Sequence, residues 1–476
     1  MKKITLSLAT LVAVVSLHAG TDGVNTKLKH GADVKKSTSG VKSVNDLSSM
    51  FTEGKASGQV RAFYVDRKYQ GGSGASTHRN SFALGGHLKF ETAAYSGLSL
   101  GSAFYTTNDI GSGIGYGSGT KQDPSLLGTG KVSYSILGEA YVNYDMQNFG
   151  TKTAVKLGYQ RYDTPMIGSD DARMLPNTFK AYKLSNNDFA GVNLQLAHVD
   201  AIAYGSFSNI YSGGILGATA GYAANGTTTG KYHNMGQVAV GKNTAGVTNL
   251  QAIYTATNFH VKVSNDYAWD LYNTLYADAG TSWNCLLNSN VHPFIQAQVI
   301  KQNSVGGKYM QHSTLAGNGD IDSIYWAAKA GAKYAGFSAY VAYSQTGTNN
   351  SSDTAYKNAI ITQFGGMPAF TQGMVTRHQF LAGTKAAKIA AVYSFKEMGV
   401  NLSTAAYYAS FDMDANSGYG VARTATEPGF DIQYYPAAVK KLQLRFRGNF
   451  PRKFVEATAG NDTGWNEYRL IANYNF

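Results

Sequence analysis

The sequence ends in Tyr468-Arg469-Leu470-Ile471-Ala472-Asn473-Tyr474-Asn475-Phe476, a run in which apolar and polar residues alternate. Every second residue, from Tyr468 to Phe476, is apolar, whereas the other positions carry Arg469, Asn473 and Asn475 with one apolar residue, Ile471. Because successive side chains of a strand point to opposite faces, this run predicts a strand with one apolar and one largely polar face. In a soluble domain Phe476 would be an uncovered apolar end. The pattern therefore favours a transmembrane β-barrel, in which the apolar face contacts lipid.

The aromatic residues at the very end of the chain carry a second expectation. An alternating strand that ends in an aromatic residue resembles the signal read by the barrel-assembly machinery of outer membranes. Tyr474 and Phe476 are the predicted assembly signal. The barrel-assembly machinery and outer-membrane lipid are accordingly predicted partners.

Two further runs indicate what the polar face contains. In Lys441 to Phe450, apolar residues alternate with Gln443, Arg445 and Arg447, and Lys156 alternates with apolar residues in the same way. A charge on the lipid face of a barrel costs about 2–4 kcal/mol near the midplane, so these side chains are predicted to point into a water-filled lumen. Arg61 is assigned to the lumen too, although Phe63 and Val65 lie on the same face of the predicted strand.

The composition agrees with a barrel. The chain of 476 residues has 54 Gly, 33 Tyr and 22 Phe but only 8 Pro and 15% charged residues, and its mean hydropathy is -0.23. Aromatic and glycine-rich chains of negative mean hydropathy are typical of transmembrane barrels, because lipid-facing and water-facing residues cancel. The single cysteine, Cys285, excludes an internal disulfide and makes a cysteine-based metal site a poor hypothesis.

The periodicity divides the chain into three segments. Residues 1–19 read as a signal peptide, with Lys2 and Lys3 before an apolar run and a cleavage point after Ala19. Residues 20–57 are predicted to form a loose arm and a short periplasmic helix, because apolar residues from Val41 to Phe51 recur at helical spacing. From residue 58 to residue 476 the period is two, which predicts the barrel.

This last segment contains about 18 candidate strands, and an even number returns the chain to its starting side. Short turns alternate with long connections, as in outer-membrane barrels. The long connections are residues 108–130, 163–177, 209–247, 303–320, 347–377 and 412–428. The predicted fold class is therefore all-β, a transmembrane antiparallel barrel with a short N-terminal helix.

One connection has an unusual composition. The stretch from Tyr159 to Phe179 contains two prolines, which favour extended or turn backbone, and closely spaced charges of both signs. The charges are Arg161, Asp163, Asp170, Asp171 and Arg173. It is the third long loop of the predicted barrel, and we expect it to fold into the lumen and narrow it. A polar surface loop is the simpler alternative.

The residues of this loop and of the first strands resemble the OprD family of outer-membrane porins. The matching motifs are Asp163-Thr164-Pro165, Ser169-Asp170-Asp171, Arg173, Leu175-Pro176-Asn177-Thr178-Phe179, Gly58-Gln59-Val60-Arg61-Ala62-Phe63-Tyr64 and Phe82-Ala83-Leu84-Gly85-Gly86. The resemblance implies an 18-stranded barrel with a narrow lumen, inward loops and a line of basic side chains that draws in carboxylate-bearing solutes. It also assigns Asp170, Asp171 and Arg173 to the selectivity loop, and Arg445 and Arg447 to that line.

The functional hypothesis is a passive diffusion channel for small hydrophilic solutes, anionic or zwitterionic, in the outer membrane of a Gram-negative bacterium. Basic side chains in the lumen would raise the local concentration of anions, while Asp163, Asp170 and Asp171 would keep them from binding too tightly. A structural or adhesive barrel that acts through its surface loops is the alternative. The alternation fits both a monomer and a homotrimer.

Other chemistry has weaker support in the sequence. No histidine lies in an H-E-x-x-H context and no serine in a G-x-S-x-G context, so neither an enzyme nor a cofactor is predicted. The basic residues are scattered, which disfavours nucleic acid despite the net charge of +12. Asp412, Asp414 and Asn416 are a weak calcium candidate, because Ser417 and Arg423 occupy the places of the glycine and the glutamate of a calcium loop.

Overall fold

The computed structural model describes residues 42–70, 78–111, 120–207, 214–222, 228–312, 320–457 and 461–476. Over these residues the chain forms eighteen long antiparallel strands. In chain order they are β1 (Lys55–Gln70), β2 (His78–Glu91), β3 (Leu98–Asp109), β4 (Tyr134–Asp145), β5 (Thr153–Gln160), β6 (Thr178–Asn186), β7 (Val192–Ala203), β8 (Val247–Thr255), β9 (Phe259–Ala268), β10 (Tyr272–Ser282), β11 (Val291–Ser304), β12 (Asp322–Tyr334), β13 (Phe337–Thr346), β14 (Lys385–Ser394), β15 (Leu402–Met413), β16 (Arg423–Tyr434), β17 (Leu442–Asn449) and β18 (Asn461–Asn475).

Shorter elements lie between and before these strands. Short paired segments are Ser43–Val44, Ala94–Tyr95, Thr120–Gln122, His233–Asn234 and Val455–Ala457. The helices are Leu47–Thr52, Gly214–Thr219 and Met235–Val240, and the 3-10 turns are Pro124–Leu126, Gln147–Phe149, Tyr309–His312, His378–Phe380 and Phe395–Met398. Within the described residues, no helix combines the length and the apolar character that crossing a membrane requires.

The strands close on themselves. Each strand pairs with the next in the chain, and β18 pairs with β1 through Val60 opposite Tyr474 and Arg67 opposite Glu467. Closure leaves no strand edge unpaired, which is what a sheet inside a lipid bilayer requires. The predicted all-β barrel of about 18 strands is confirmed.

Two of the predicted long connections have other bounds in the structure. The connection predicted at 347–377 extends to residue 384, because His378–Phe380 forms a 3-10 turn and the next strand begins at Lys385. The connection predicted at 412–428 ends before Arg423, because residues 423–428 continue the pairing with β15.

Apolar side chains cover the outer face of the strands, and polar ones project inward. Leu250, Val341 and Leu470 point outward and are 59%, 57% and 53% exposed. Asn249 on β8 and Ser344 on β13 have the opposite parity and are fully buried. The alternation in the sequence therefore sorts side chains between lipid and lumen.

The helix before the barrel, Leu47–Thr52, is shorter than the predicted one. Asp46 caps its first turn by accepting hydrogen bonds from the backbone N–H and the hydroxyl of Ser49, at 2.8 Å and 2.6 Å. Met50 packs with Val44 and Ala93, which fixes the helix to the turn between β2 and β3. The predicted signal peptide and most of the arm, residues 1–41, lie outside the described residues.

The connections differ between the two ends of the barrel. The end that carries the helix has the shorter turns, the longest being residues 283–290. The other end carries the long loops, except for the seven residues between β1 and β2 and for residues 269–271, which join β9 to β10 in a tight turn. Three of these loops are named here for their place in the barrel: L3 (residues 161–177), L4 (residues 204–246) and L7 (residues 347–384).

Candidate functional site

Loop L7 lies against the inner wall of the barrel. All of its residues from 359 to 384 are buried. Inward side chains of the strands hold it at successive depths: Gln302 donates to the Ile361 carbonyl at 3.0 Å, and Gln298 donates to the Pro368 carbonyl at 2.8 Å. This position of L7 could not be predicted from the sequence, because the hydrogen bonds come from strands distant in the chain.

The middle of L7 is held by a buried carboxylate. Glu427 on β16 accepts hydrogen bonds from the backbone N–H groups of Met374 and Thr376, each at 2.6 Å, and from the Tyr407 hydroxyl. Gly373 permits this approach, because a Cβ there would lie 2.8 Å from the carboxyl group. A backbone turn that presents several N–H groups to one anion is a common anion-binding arrangement.

Loop L3 contacts L7 directly. Ile167 forms a β-bridge with Phe364, and the Gly168 N–H donates to the Phe364 carbonyl at 2.9 Å. The two backbones approach closely beside Gly366, where a Cβ would lie 2.1 Å from the Met166 backbone. The packing of these two loops therefore depends on glycine at this point.

Loop L4 completes the group of inner loops. The Ala218 carbonyl accepts from the Thr362 N–H at 2.8 Å, and Arg377 of L7 donates to the Ala220 carbonyl at 2.7 Å. Apolar side chains of all three loops, among them Ile167, Phe207 and Phe364, belong to one buried cluster within the barrel. L3, L4 and L7 thus pack against one another as well as against the wall.

Five arginines form what we call the arginine wall, on the adjacent strands β17, β18 and β1. They are Arg61, Arg67, Arg445, Arg447 and Arg469. All five have the inward parity, and Arg447 stands directly opposite Arg469 in the register of β17 and β18. Arg61, Arg445 and Arg447 lie on the lumen side, as the sequence predicted. Phe63 and Val65 share the inward face of β1 with Arg61, because they are apolar residues buried inside the barrel.

Two carboxylates of the wall are shared among these arginines. Glu467 accepts from Arg469 at 2.5 Å and from Arg67 at 2.6 Å, and it also binds Arg173 of L3 at 2.9 Å. Asp431 accepts from Arg445 Nε at 2.8 Å, with Arg447 Nε at 3.6 Å. Two more acids pair with the wall: Asp123 binds Arg67 at 3.1 Å, and Asp171 of L3 binds Arg61 at 2.7 Å. With Arg173 included, six arginines face four carboxylates, so an excess of positive charge remains toward the lumen.

The acidic residues of L3 differ in their surroundings. Asp171 binds Arg61 at 2.7 Å and lies 3.9 Å from Arg161, so it joins the loop to the arginine wall. Asp170 accepts from the Tyr222 hydroxyl at 2.5 Å and lies 3.6 Å from Arg377, so it joins L3 to L4 and L7. Asp163 is exposed and accepts from the N–H of Ser169 at 2.7 Å, which closes a turn within the loop.

Arg173 and Arg377 meet at one aromatic ring. The Arg173 guanidinium lies 4.4 Å and that of Arg377 5.4 Å from the centre of the Phe207 ring, and both side chains are fully buried. Each guanidinium is attracted by the negative face of the ring. The sequence analysis named Arg173 but missed Arg377 and Phe207, because the pairing joins three loops that are far apart in the chain.

Lys156 belongs to a different part of the lumen. Its ammonium lies 3.6 Å from the centre of the Tyr141 ring on β4, beside a pair in which Lys89 binds Glu139 at 3.2 Å. The structure therefore places Lys156 on the β4–β5 side, apart from Arg445 and Arg447.

His378 attaches the C-terminal part of L7 to the connection between β17 and β18. Its Nε2 donates to the Phe454 carbonyl at 2.7 Å, and its ring lies 4.8 Å from that of Phe454. Burial lowers the pKa of His378 to about 4, because the charged imidazolium would lose its hydration there. The histidine is therefore neutral at ordinary pH.

The remaining sequence candidates lie at the barrel ends. Tyr474 and Phe476 face outward, and the Phe476 N–H bonds the Gly58 carbonyl at 3.1 Å, which ties the terminus to β1. Asp412 is on the outer face of β15, whereas Asp414 accepts from the Asn416 N–H at 2.8 Å in a local turn. Across the described ranges, no group of three or more His, Cys, Asp or Glu residues is arranged to hold a metal ion.

These features define a class. A closed antiparallel barrel with an apolar outer face, inward charges and long loops at one end is the architecture of outer-membrane channel proteins. Residues 49–476 match the profile of the family described as outer membrane porin, OprD family. The chain therefore belongs to the OprD family of porins and resides in the outer membrane of a Gram-negative bacterium. Fold and family are those of non-enzymatic channels.

Solved structures share this fold. A BenF-like porin from Pseudomonas fluorescens Pf-5 matches with a TM-score of 0.68 and 17% identity, over 90% of this chain and 99% of that chain. OccK1 (OpdK) from Pseudomonas aeruginosa matches with a TM-score of 0.65 and 14% identity, over 90% and 99%. OccAB3 from Acinetobacter baumannii has a TM-score of 0.64 and 16% identity, over 89% and 99%. No curated protein is significantly similar in sequence.

Proposed function

We propose that this porin passes small anionic and zwitterionic solutes that carry a carboxylate, and that L3, L4 and L7 together form its constriction. The observation that carries the proposal is the arginine wall, in which Glu467 is shared among Arg67, Arg469 and Arg173. An excess of fixed positive charge in a narrow passage raises the local concentration of anions. The same field opposes the entry of cations.

Release is the second requirement of a channel. A solute carboxylate that met unpaired guanidinium groups would bind too tightly to move on. Asp431 and Glu467 already occupy part of the hydrogen-bonding capacity of the wall, and Asp171 of L3 competes for Arg61. The solute therefore exchanges with these carboxylates and does not fill an empty site.

A structural relative supports the choice of carboxylates. OpdK from Pseudomonas aeruginosa, which shares the fold at a TM-score of 0.65 and 15% identity, was crystallised with vanillate, an aromatic carboxylate. We extend only the chemical class, a carboxylate on a small organic body, to the present protein.

Two steps of biogenesis complete the proposal. Residues 1–19 would act as a cleaved signal peptide. Tyr474 and Phe476 would be read by the barrel-assembly machinery before β18 pairs with β1. The pairing of the terminal strands is the step that closes the barrel.

Uptake into proteoliposomes tests the function. Glutamate, glutamine and lysine are amino acids of similar length that carry net charges of −1, 0 and +1, and they do not cross lipid unaided. We expect radiolabelled glutamate and glutamine to enter faster than lysine, with protein-free liposomes as the control. Lysine entry that is as fast as glutamate entry would contradict the proposed selectivity. Entry of none of the three would favour the structural-barrel alternative.

A further inference from the structure

Lys329, on β12, is a buried ammonium without a carboxylate partner. Its side chain points inward, and the residue is 5% exposed. Within the described part of the chain it forms no ion pair, and its contacts are the ring faces of Phe370 at 4.4 Å and Tyr340 at 5.4 Å. Asp278, the acid that acts on it electrostatically, binds His260 at 2.8 Å. A buried ammonium that lacks a counter-ion is unfavourable, and either the loss of its proton or the binding of an anion relieves this cost.

A second lysine stands in the same row of the sheet. Lys329 pairs with Ala342 on β13, and Ala342 pairs with Lys388 on β14. Both lysines point inward with only the Ala342 methyl group between their strands, and Lys388 donates to the Gln372 carbonyl of L7 at 2.7 Å. On the other side, Gln296 of β11 is the register partner of Lys329 and is also buried.

The row lies on the side of L7 that faces the short-turn end of the barrel, which is the periplasmic end in outer-membrane barrels. Gln298, whose carbonyl oxygen accepts from the Phe370 N–H at 3.1 Å, is one inward position nearer the extracellular end than Gln296. Toward the periplasm, the next inward residues of β12 are Gly331 and Lys333, which are only half-buried. Lys329 therefore lies beside Phe370 of L7, and the inward positions nearer the periplasm are more exposed. Four strands lie between β12 and the arginine wall, which begins at β17.

We propose that Lys329, together with Lys388 and Gln296, forms a second anion subsite that receives one small carboxylate after it has passed L7. This inference rests on the proposed function and deepens it, because it adds a discrete binding step to a positive field. An ammonium group donates hydrogen bonds without the fixed fork of a guanidinium, so it suits a transient partner. Phe370 and Tyr340 limit the size of the group that fits beside it.

Conductance in potassium acetate tests the subsite. The half-saturating acetate concentration is measured in planar bilayers for the refolded full chain and three variants. Lys329→Met removes the charge, and Ala342→Leu fills the gap while both charges remain. Lys333→Met, which removes a lysine from the same face nearer the mouth, is the matched control. We expect the half-saturating acetate concentration to rise about tenfold in the first two variants, because the loss of one charge-assisted hydrogen bond has an effect of this size. In the control we expect it to rise less than about twofold.

The outcomes separate the inference from the function on which it rests. If Lys329→Met alone raises the half-saturating concentration and Ala342→Leu does not, the lysine acts only through its long-range field and the subsite is wrong. If the wild type prefers anions and the half-saturating acetate concentration is unchanged in both variants, the proposed subsite is also wrong. A wild type that prefers cations instead overturns the proposed function. If Lys329→Met does not fold, Ala342→Leu decides the question, because it retains the buried charges.

Discussion

The arginine wall and L7 show how single side chains set the character of this lumen. Glu467 gathers Arg67, Arg173 and Arg469 around one carboxylate, and thereby ties L3 to β18 and β1. Removing such a carboxylate would leave buried cations uncompensated, which is strongly destabilising in other proteins. The residue thus has a structural role and an electrostatic one.

His378 gives L7 a dependence on pH. Its pKa of about 4 lies below the ordinary value of 6.5, so the folded loop binds fewer protons than the released loop. The packing of L7 is fully favourable above pH 6.5 and loses up to about 3 kcal/mol as the pH falls toward 4. We expect backbone hydrogen exchange in residues 374–382 to be faster in the wild type than in His378→Gln at pH 4.5, and equal at pH 7. A constant ratio at the two pH values would contradict this account.

For single residues, the sequence predicted which face of a strand a side chain occupies better than it predicted which residues the side chain contacts. The parity of Arg445 and Arg447 followed from Leu444 and Phe446, because alternation alone decides which face meets lipid. That Arg377 contacts Phe207 and Asp170 could not be predicted, since no local pattern reports contacts between separate loops. Arg469 was visible on the polar parity of the last strand, but it was not recognised as a lumen residue.

Among the elements, L7 shows how a long loop is kept inside a barrel. Its backbone is held by side chains of several strands, and Glu427 binds the N–H groups of Met374 and Thr376. These are charge-assisted hydrogen bonds inside the protein, where they are stronger than in water.

Glu427→Gln is the direct test of this attachment. The substitution keeps the shape but removes the charge, so we expect the attachment of L7 to weaken by about 2–3 kcal/mol. Single-channel recordings should then show more frequent current fluctuations and a higher maximum conductance. Glu397→Gln, which alters an exposed acid in the periplasmic turn before β15, is the control. Identical recordings from both variants would show that Glu427 does not hold the loop.

The strands themselves were predicted more completely than the loops. Every strand expected from the period of two is present, because alternation over eight or more residues is a strong local signal. The boundaries that failed adjoin L7 and β16, where buried loop residues or an extended pairing replace the pattern expected of a surface loop. The inward packing of L4 was not predicted, since residues 209–247 show no clear period.

The whole molecule combines a closed sheet with a packed interior. Closure between β1 and β18 removes the strand edges, and the outer face is apolar enough for lipid. Inside, apolar residues of L3, L4 and L7 form a cluster like the core of a soluble domain. On the proposed function, a passage beside this cluster would be narrow and bordered by fixed charges, which would favour selective over general permeation.

The anion selectivity that we propose depends on the arginine wall. The most direct measurement is the reversal potential of single channels under a potassium chloride gradient, for the wild type and for Arg445→Gln/Arg447→Gln/Asp431→Asn. The triple variant removes one net positive charge and leaves no unpaired carboxylate at Asp431, and Lys440→Gln removes one exposed positive charge as the control. We predict an anion-selective wild type, a clear loss of selectivity in the triple variant and little change in the control. Equal loss in both variants, or a cation-selective wild type, would show that the arginine wall does not make the channel selective for anions.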